Sequence, residues 1–230
     1  MTRILKDFRK EYGGILLLIG LYWLTNLGFF FYSFDFLLIW LNWNLLLGLM
    51  PLIFIKLYQG TRSRGLGWVF LILWLAFLPN AIYMVTDFIH LSGEVFYVNK
   101  PYQVIYKRDL LIWARLISIV VGFILSSYLG LESLYLVYDQ EEKKGKARAT
   151  GLLVLVSFLI GIAIYIGRFL RFNSWDIFRP YRLLLELYRS LDGFAWGFIG
   201  LMSLYSLFIF YIFLWARRKN NILYNNKDRV

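Results

Sequence analysis

Six stretches of the chain run continuously apolar for about 18 residues or more, the length that crosses a hydrocarbon core of roughly 30 Å as a helix. They fall at residues 13–32, 36–57, 67–87, 110–131, 150–167 and 193–215. None alternates apolar and polar positions over about ten residues as a lipid-facing barrel strand would, so the pattern predicts transmembrane helices. The first stretch lacks a small-residue cleavage site and is longer than a signal-peptide core, and it reads as a retained span. After the fifth, the segment "IFRPYRLLLELYRSL" turns amphipathic. Asp176 is placed to cap a helix there, with Pro180 in its first turn. Its leucines 183, 184, 187 and 191 are expected to face lipid, leaving Arg182, Glu186 and Arg189 on the wet side. The expected fold class is all-α: a polytopic integral membrane helical bundle of about six transmembrane helices plus one interfacial amphipathic helix. Residues 1–216 form a single six-span domain in this reading, and 217–230 a polar cytoplasmic tail.

Small residues set the expected packing. In the fourth stretch Ala114, Ser118, Gly122, Ser126 and Gly130 recur in steps of four, which lets other backbones approach and predicts a central helix. Shorter versions are Ser157 with Gly161, and Gly193 with Gly197. Packing these faces together would bring Asp109 and Arg168 toward each other. No internal repeat is evident, which disfavours an inverted-repeat transporter.

Composition agrees with this picture and narrows the chemistry. The chain is 60% hydrophobic and 20% aromatic over 230 residues, more than a soluble domain of that length can cover. It has no cysteine, which excludes disulfides and thiolate metal sites, and one histidine, His90. The net charge of +11 reflects basic clusters such as "RILKDFRK", "EEKKGKAR" and "WARRKNN", each of which abuts a span. They read as topology signals and contacts for anionic lipid, and nucleic acid is not an expected partner. The face made of the termini, the loop near 58–66 with Lys56, and the loop 139–149 carries 16 Lys and Arg against 6 Asp and Glu. The other face, with Asp87, carries 9 against 7. By the positive-inside rule both termini are expected in the cytoplasm.

Five arginines then lie on the outer face, where that rule should deplete them: Arg168, Arg171, Arg179, Arg182 and Arg189. The interfacial helix accounts for Arg182 and Arg189. Arg168 and Arg171 admit two readings, snorkelling to headgroups or holding an anion. The third span ends "FLPNAIYMVTDFIHL", where Pro79 frees a carbonyl and predicts a kink or local unwinding. Beyond it Asn80, Tyr83, Asp87 and His90 share a helix face. Asn26, Asn42 and Asn44 lie in the outer halves of the first two spans, and Asp109 and Arg115 open the fourth. Buried polar groups in lipid seek partners, so these residues predict a polar pocket opening outward. For Asn26 and Asn42 the favoured reading is an interhelical hydrogen bond that holds helices together. Asp87 and His90, completed by Asp109 or Asp176, would offer zinc or manganese a carboxylate-rich site, though an arginine-rich setting repels cations. The same pair would alternatively serve as a catalytic acid and base. No nucleophile motif or phosphate loop supports catalysis.

The segments "WNLLLGLMP", "FLPNAIYMVTDFIHL" and "IYIGRFLRFNSWD" together resemble the bacterial membrane family catalogued as domain of unknown function 1361, in the same order and over nearly the whole chain. The family pattern maps here onto Asn44, Pro79, Asn80, Asp87, His90, Asp109, Gly167, Arg168, Arg171, Asn173, Ser174, Trp175 and Asp176. Phe172 stands where the family often carries tryptophan. The resemblance implies no activity, cofactor or metal; it implies that the outer polar residues form a shared pattern. The expected function is recognition of a polar or anionic lipid headgroup or an envelope precursor. The pocket would be lined by Asn44, Asn80, Asp109, Arg168, Arg171, Asn173, Ser174, Trp175 and Asp176, with membrane lipids as the expected partners. The alternatives are an intramembrane hydrolase or transferase using Asp87 and His90, and a structural or assembly subunit in which carboxylates neutralise the arginines.

Overall fold

A computed structural model describes residues 2–172 and 180–227 of the chain. The described part is a bundle of helices, α1 (Thr2–Ser33), α2 (Phe36–Gly60), α3 (Arg64–Tyr83), α4 (Leu110–Glu142), α5 (Lys146–Tyr165), α6 (Pro180–Ser190) and α7 (Gly193–Lys227). Six segments are long and apolar enough to cross a membrane: Asp7–Ser33, Phe36–Gly60, Arg64–Leu91, Leu110–Glu142, Lys146–Leu170 and Gly193–Lys219. The protein is a multi-pass helical membrane protein. Successive passes alternate in direction, so the first and last described residues lie at one end of the bundle, here the terminal end. The turn 34–35 and the segments 92–109 and 171–192 lie at the other, here the distal end. Exposed tryptophans mark both: Trp40, Trp43, Trp113 and Trp196 near the distal end, Trp68 and Trp215 near the terminal end, as expected of rings at membrane interfaces.

Local chemistry sets where the helices start and stop. The Asp35 carboxylate accepts the Leu37 backbone N–H at 3.1 Å and starts α2, Asp109 accepts from Leu111 at 3.0 Å and starts α4, and Asp192 accepts from Ala195 at 2.7 Å at the head of α7. Gly145, at φ 152°, makes the reversal between α4 and α5, a conformation that side chains rarely adopt. Helix α3 passes through Pro79 and tightens to a 3-10 helix at Met84–Leu91. Helix α5 ends in a π-turn at Ile166–Leu170, which closes on Arg171 at φ 57°.

Helix α4 is the axis of the bundle, and the small residues explain why. A Cβ on Gly122 would come within 2.5 Å of the Tyr22 hydroxyl and 2.6 Å of Met84 Cε, and one on Gly130 would collide with Ala81. Ser126 faces Gly48 of α2, so α1, α2 and α3 all close onto the same helix. Gly161 lets α5 approach α7, with a Cβ there falling 2.6 Å from the Ile199 carbonyl. Gly193 and Gly197 differ from expectation: both face open space. Of their apolar windows, 44% is buried in α2, α4 and α5, against 17% in α1 and 22% in α7, which are the outer staves.

Polar groups lock this arrangement. Between α1, α2 and α4, Asn26 donates to Asn42 at 2.8 Å and accepts from Ser118 at 2.7 Å, the interhelical role that buried asparagines favour. At the distal end Arg115 of α4 holds Asp35 at 2.5 Å and also binds Glu94. At the terminal end Glu132 of α4 is 1% exposed and pairs with Arg217 of α7 while accepting from Tyr12 of α1 at 3.3 Å. Lys56 of α2 closes that cluster on Glu11 at 2.7 Å.

Two features depart from the sequence-based expectation. The segment between the third and fourth spans carries a hairpin, β1 (Tyr97–Lys100) and β2 (Gln103–Tyr106), paired antiparallel with Tyr97 opposite Tyr106 and Val98 opposite Ile105. Pro101 presets the first central position of its turn and Tyr102, at φ 65°, takes the left-handed second. Helix α6 is present, but its leucines do not all face lipid. Leu187 and Leu191 pack on Tyr165, Ala195 and Ile199, and Leu183 lines a groove described below. Only Leu184 of the four is openly exposed, at 60%. The reason is that α5 ends beside α6 and offers it an apolar protein surface to cover. The cap expected from Asp176, and Arg179, lie outside the described residues.

Candidate functional site

The distal halves of α2, α3 and α5 converge on one buried carboxylate. In the 3-10 helix, with three residues per turn, positions 84, 87 and 90 stack on one face. Met84 and Asp87 are therefore turned inward, and His90, one turn further, is exposed. Asp87 is 2% exposed. Its Oδ2 accepts from Asn44 Nδ2 at 2.8 Å and its Oδ1 accepts from the Arg168 guanidinium at 2.8 Å. The His90 Nε2 stands 3.9 Å from Oδ1, beyond hydrogen-bonding distance.

Arg168 is held by more than the carboxylate. Its Nε donates to Thr86 Oγ1 at 3.0 Å and a terminal nitrogen binds the same oxygen. The guanidinium lies over the Tyr83 ring at 4.4 Å, a cation–π contact. Gly167 lies beside that ring, where a Cβ would meet Tyr83 Cε2 at an ordinary contact distance of 3.4 Å. Both arginine and aspartate are thus desolvated and paired, which is how a charge survives inside a membrane protein.

Arg171 is different. The π-turn and its left-handed last residue carry it past the pair and into the wall of a groove of about 780 Å³ between α2, α3, α5 and α6, a volume within the usual range of ligand sites. Asn44, Asn80 and Arg171 bring polar atoms to the groove. The rest is apolar, including Trp40, Trp43, Ile72, Leu159, Ile162 and Leu183. Trp40 and Ile72 are 62% and 59% exposed, so the groove opens on the lipid-facing side. Arg171 is exposed and has no ion-pair partner among the described residues. Asn80 also donates to the Phe77 carbonyl at 3.1 Å, one of the backbone acceptors near Pro79.

Of the residues singled out in the sequence, Asn44, Asp87, His90 and Arg168 meet in one cluster, and Asn80 and Arg171 line the adjoining groove. Asp109 stands apart, capping α4 with its second oxygen 3.7 Å from Lys107, and Arg168 pairs with Asp87 instead. Asn173, Ser174, Trp175 and Asp176 lie outside the described residues. No group of three His, Cys, Asp or Glu among the described residues is placed to hold a metal ion. The donor set explains this, since both Asp87 oxygens are already taken, one of them by a guanidinium that would repel a cation. Sequence reading missed Thr86 as an acceptor for Arg168; a hydroxyl beside an intramembrane aspartate was the available signal. It also missed the apolar walls of the groove, for which no signal distinguishes a groove-lining leucine from a lipid-facing one.

No curated protein and no solved structure matches the chain. The sequence model of a protein of unknown function, DUF1361, matches residues 43–209. That span holds the whole cluster and every groove-lining residue but Trp40, and it covers most of the protein; the chain belongs to this family.

Proposed function

We propose that the groove binds an amphiphile with an anionic headgroup, a membrane lipid or a lipid-linked envelope precursor, whose tail lies along the apolar wall. The single observation that carries this is the pairing of a lipid-open apolar groove with an exposed arginine, Arg171, that has no ion-pair partner among the described residues. A guanidinium fork suits phosphate or carboxylate, and Asn44 and Asn80 add amide groups beside it. Arg168 acts as a positioning residue: held by Asp87, it fixes the π-turn that presents Arg171. His90, exposed one turn beyond Asp87, is available to orient a polar headgroup. An acid–base role for Asp87 and His90 has less support, because both carboxylate oxygens are occupied and His90 stands beyond hydrogen-bonding distance. The excess of Lys and Arg at the terminal end, 16 against 9 by sequence count, supports cytoplasmic termini and a groove in the outer leaflet.

Arg171→Ala is expected to remove a charge-assisted contact of about 1.5–3 kcal/mol, a roughly 10- to 150-fold loss of affinity. Native mass spectrometry after gentle purification reads it. Anionic lipid should stay bound to the wild type and to an Arg62→Ala control at the terminal end, and be lost from Arg171→Ala. Equal retention by all three would refute the reading. Displacement of the signal by inorganic phosphate alone would point to a free anion in place of a lipid.

A further inference from the structure

The hairpin β1–β2 is out of proportion to its surroundings. It is two strands of four residues, and every one of them is exposed. An isolated two-stranded hairpin is at best marginal in water, yet this one displays Tyr97, Val98, Val104, Ile105 and Tyr106 on its strands, and Tyr102 stands fully exposed at its tip. Something must cover these side chains.

Its attachment says what. On α4, Leu110, Trp113, Ile117, Val121, Ile124 and Tyr128 are all exposed and recur at steps of three and four, so they form one stripe facing lipid. The hairpin is fastened to the head of that stripe. Trp113 Nε1 donates to the Lys107 carbonyl at 3.1 Å, and the Trp113 ring meets Phe96 edge-on at 5.5 Å. The Lys107 N–H in turn donates to the Phe96 carbonyl at 2.7 Å, closing the base of the hairpin. The apolar surface therefore runs without interruption from the lipid-facing flank of α4 onto the hairpin. Lys100, Lys107 and Arg108 flank it, and all three are exposed. Tyrosines interleaved with cations are the composition of a membrane interface.

We propose that the hairpin is an interfacial anchor that folds back onto the membrane the protein spans. Tyr97, Tyr102 and Tyr106 lie at headgroup depth, and the cations face anionic headgroups. This role is independent of the groove. It fixes the height of the distal end and gives an otherwise unsupported hairpin the apolar environment that stabilises it.

The absence of cysteine makes the test direct. Nitroxide labels are placed singly through Tyr102→Cys and Ile105→Cys, with Ile117→Cys on the lipid stripe and Lys144→Cys in the α4–α5 turn as references. Collision with oxygen and with a water-soluble nickel chelate is measured in vesicles of phosphatidylethanolamine and phosphatidylglycerol. Labels at 102 and 105 are expected to show an oxygen-to-nickel ratio several-fold above position 144 and approaching position 117. A ratio equal to that at 144 would place the hairpin in water and overturn the proposal. Immobile labels reached by neither reagent would overturn it in favour of a second copy or a partner protein covering the strands. Lys100→Glu with Arg108→Glu is expected to lower the ratio in these vesicles and not in pure phosphatidylcholine; no change in either would refute the charge contribution.

Discussion

Asp87→Ala is expected to destabilise the folded protein by about 3–5 kcal/mol, the range found when one partner of a buried ion pair is removed. The loss arises because Arg168, only 15% exposed at its side chain, keeps its charge and loses its counter-ion. Asn44 loses its acceptor at the same time. Thermal unfolding in detergent or nanodiscs reads the effect as a large drop in Tm. Asp87→Leu combined with Arg168→Met should recover most of it, since a well-packed apolar replacement of a buried pair is often neutral. If the double variant melts as low as Asp87→Ala, the loss comes from packing of the 3-10 helix and not from the stranded charge.

Two glycines on neighbouring helices should respond to alanine in different ways. Gly161→Ala forces a methyl group to within 2.5 Å of the Ser203 hydroxyl, which can rotate aside, and 2.6 Å of the Ile199 carbonyl, which is backbone and cannot. Overpacking of this kind costs about 1–3 kcal/mol, and a larger residue such as leucine is expected to prevent α5 and α7 from docking. Gly197→Ala adds the same methyl group to α7 with nothing within 4 Å, so its effect should stay within about 0.5 kcal/mol. Comparing the two melting temperatures isolates close helix approach from helix propensity. Equal losses would mean that the α5–α7 seam is looser than described.

The helices were legible because lipid imposes a demand that a sequence can display openly: every residue of a span must tolerate hydrocarbon. The small-residue steps on α4 were informative for a similar reason, since few other motives place Ala114, Ser118, Gly122, Ser126 and Gly130 on one line. The hairpin was not legible. Its strands are four residues each, too short for a period to show, and only the turn chemistry of Pro101 hinted at it. Helix α6 was found by its pattern, but the pattern cannot say whether leucines face lipid or protein, since both are apolar. The same blindness governed the ion pair. Arg168 had Asp87, Asp109 and Asp176 as candidate partners, and the choice depends on how α3 and α5 are rotated about their axes. The switch to 3-10 winding after Tyr83 sets that rotation, and a one-residue difference in winding is invisible in the sequence.

Glu132 is made 85 residues before Arg217, its cation. A chain emerging in order from the ribosome therefore carries this carboxylate on α4 without its paired arginine through the synthesis of α5 and α6, with the Tyr12 hydroxyl already available to it. The last helix completes the protein electrically as well as sterically, so a message ending just before codon 217 yields six spans and an unneutralised acid in their midst.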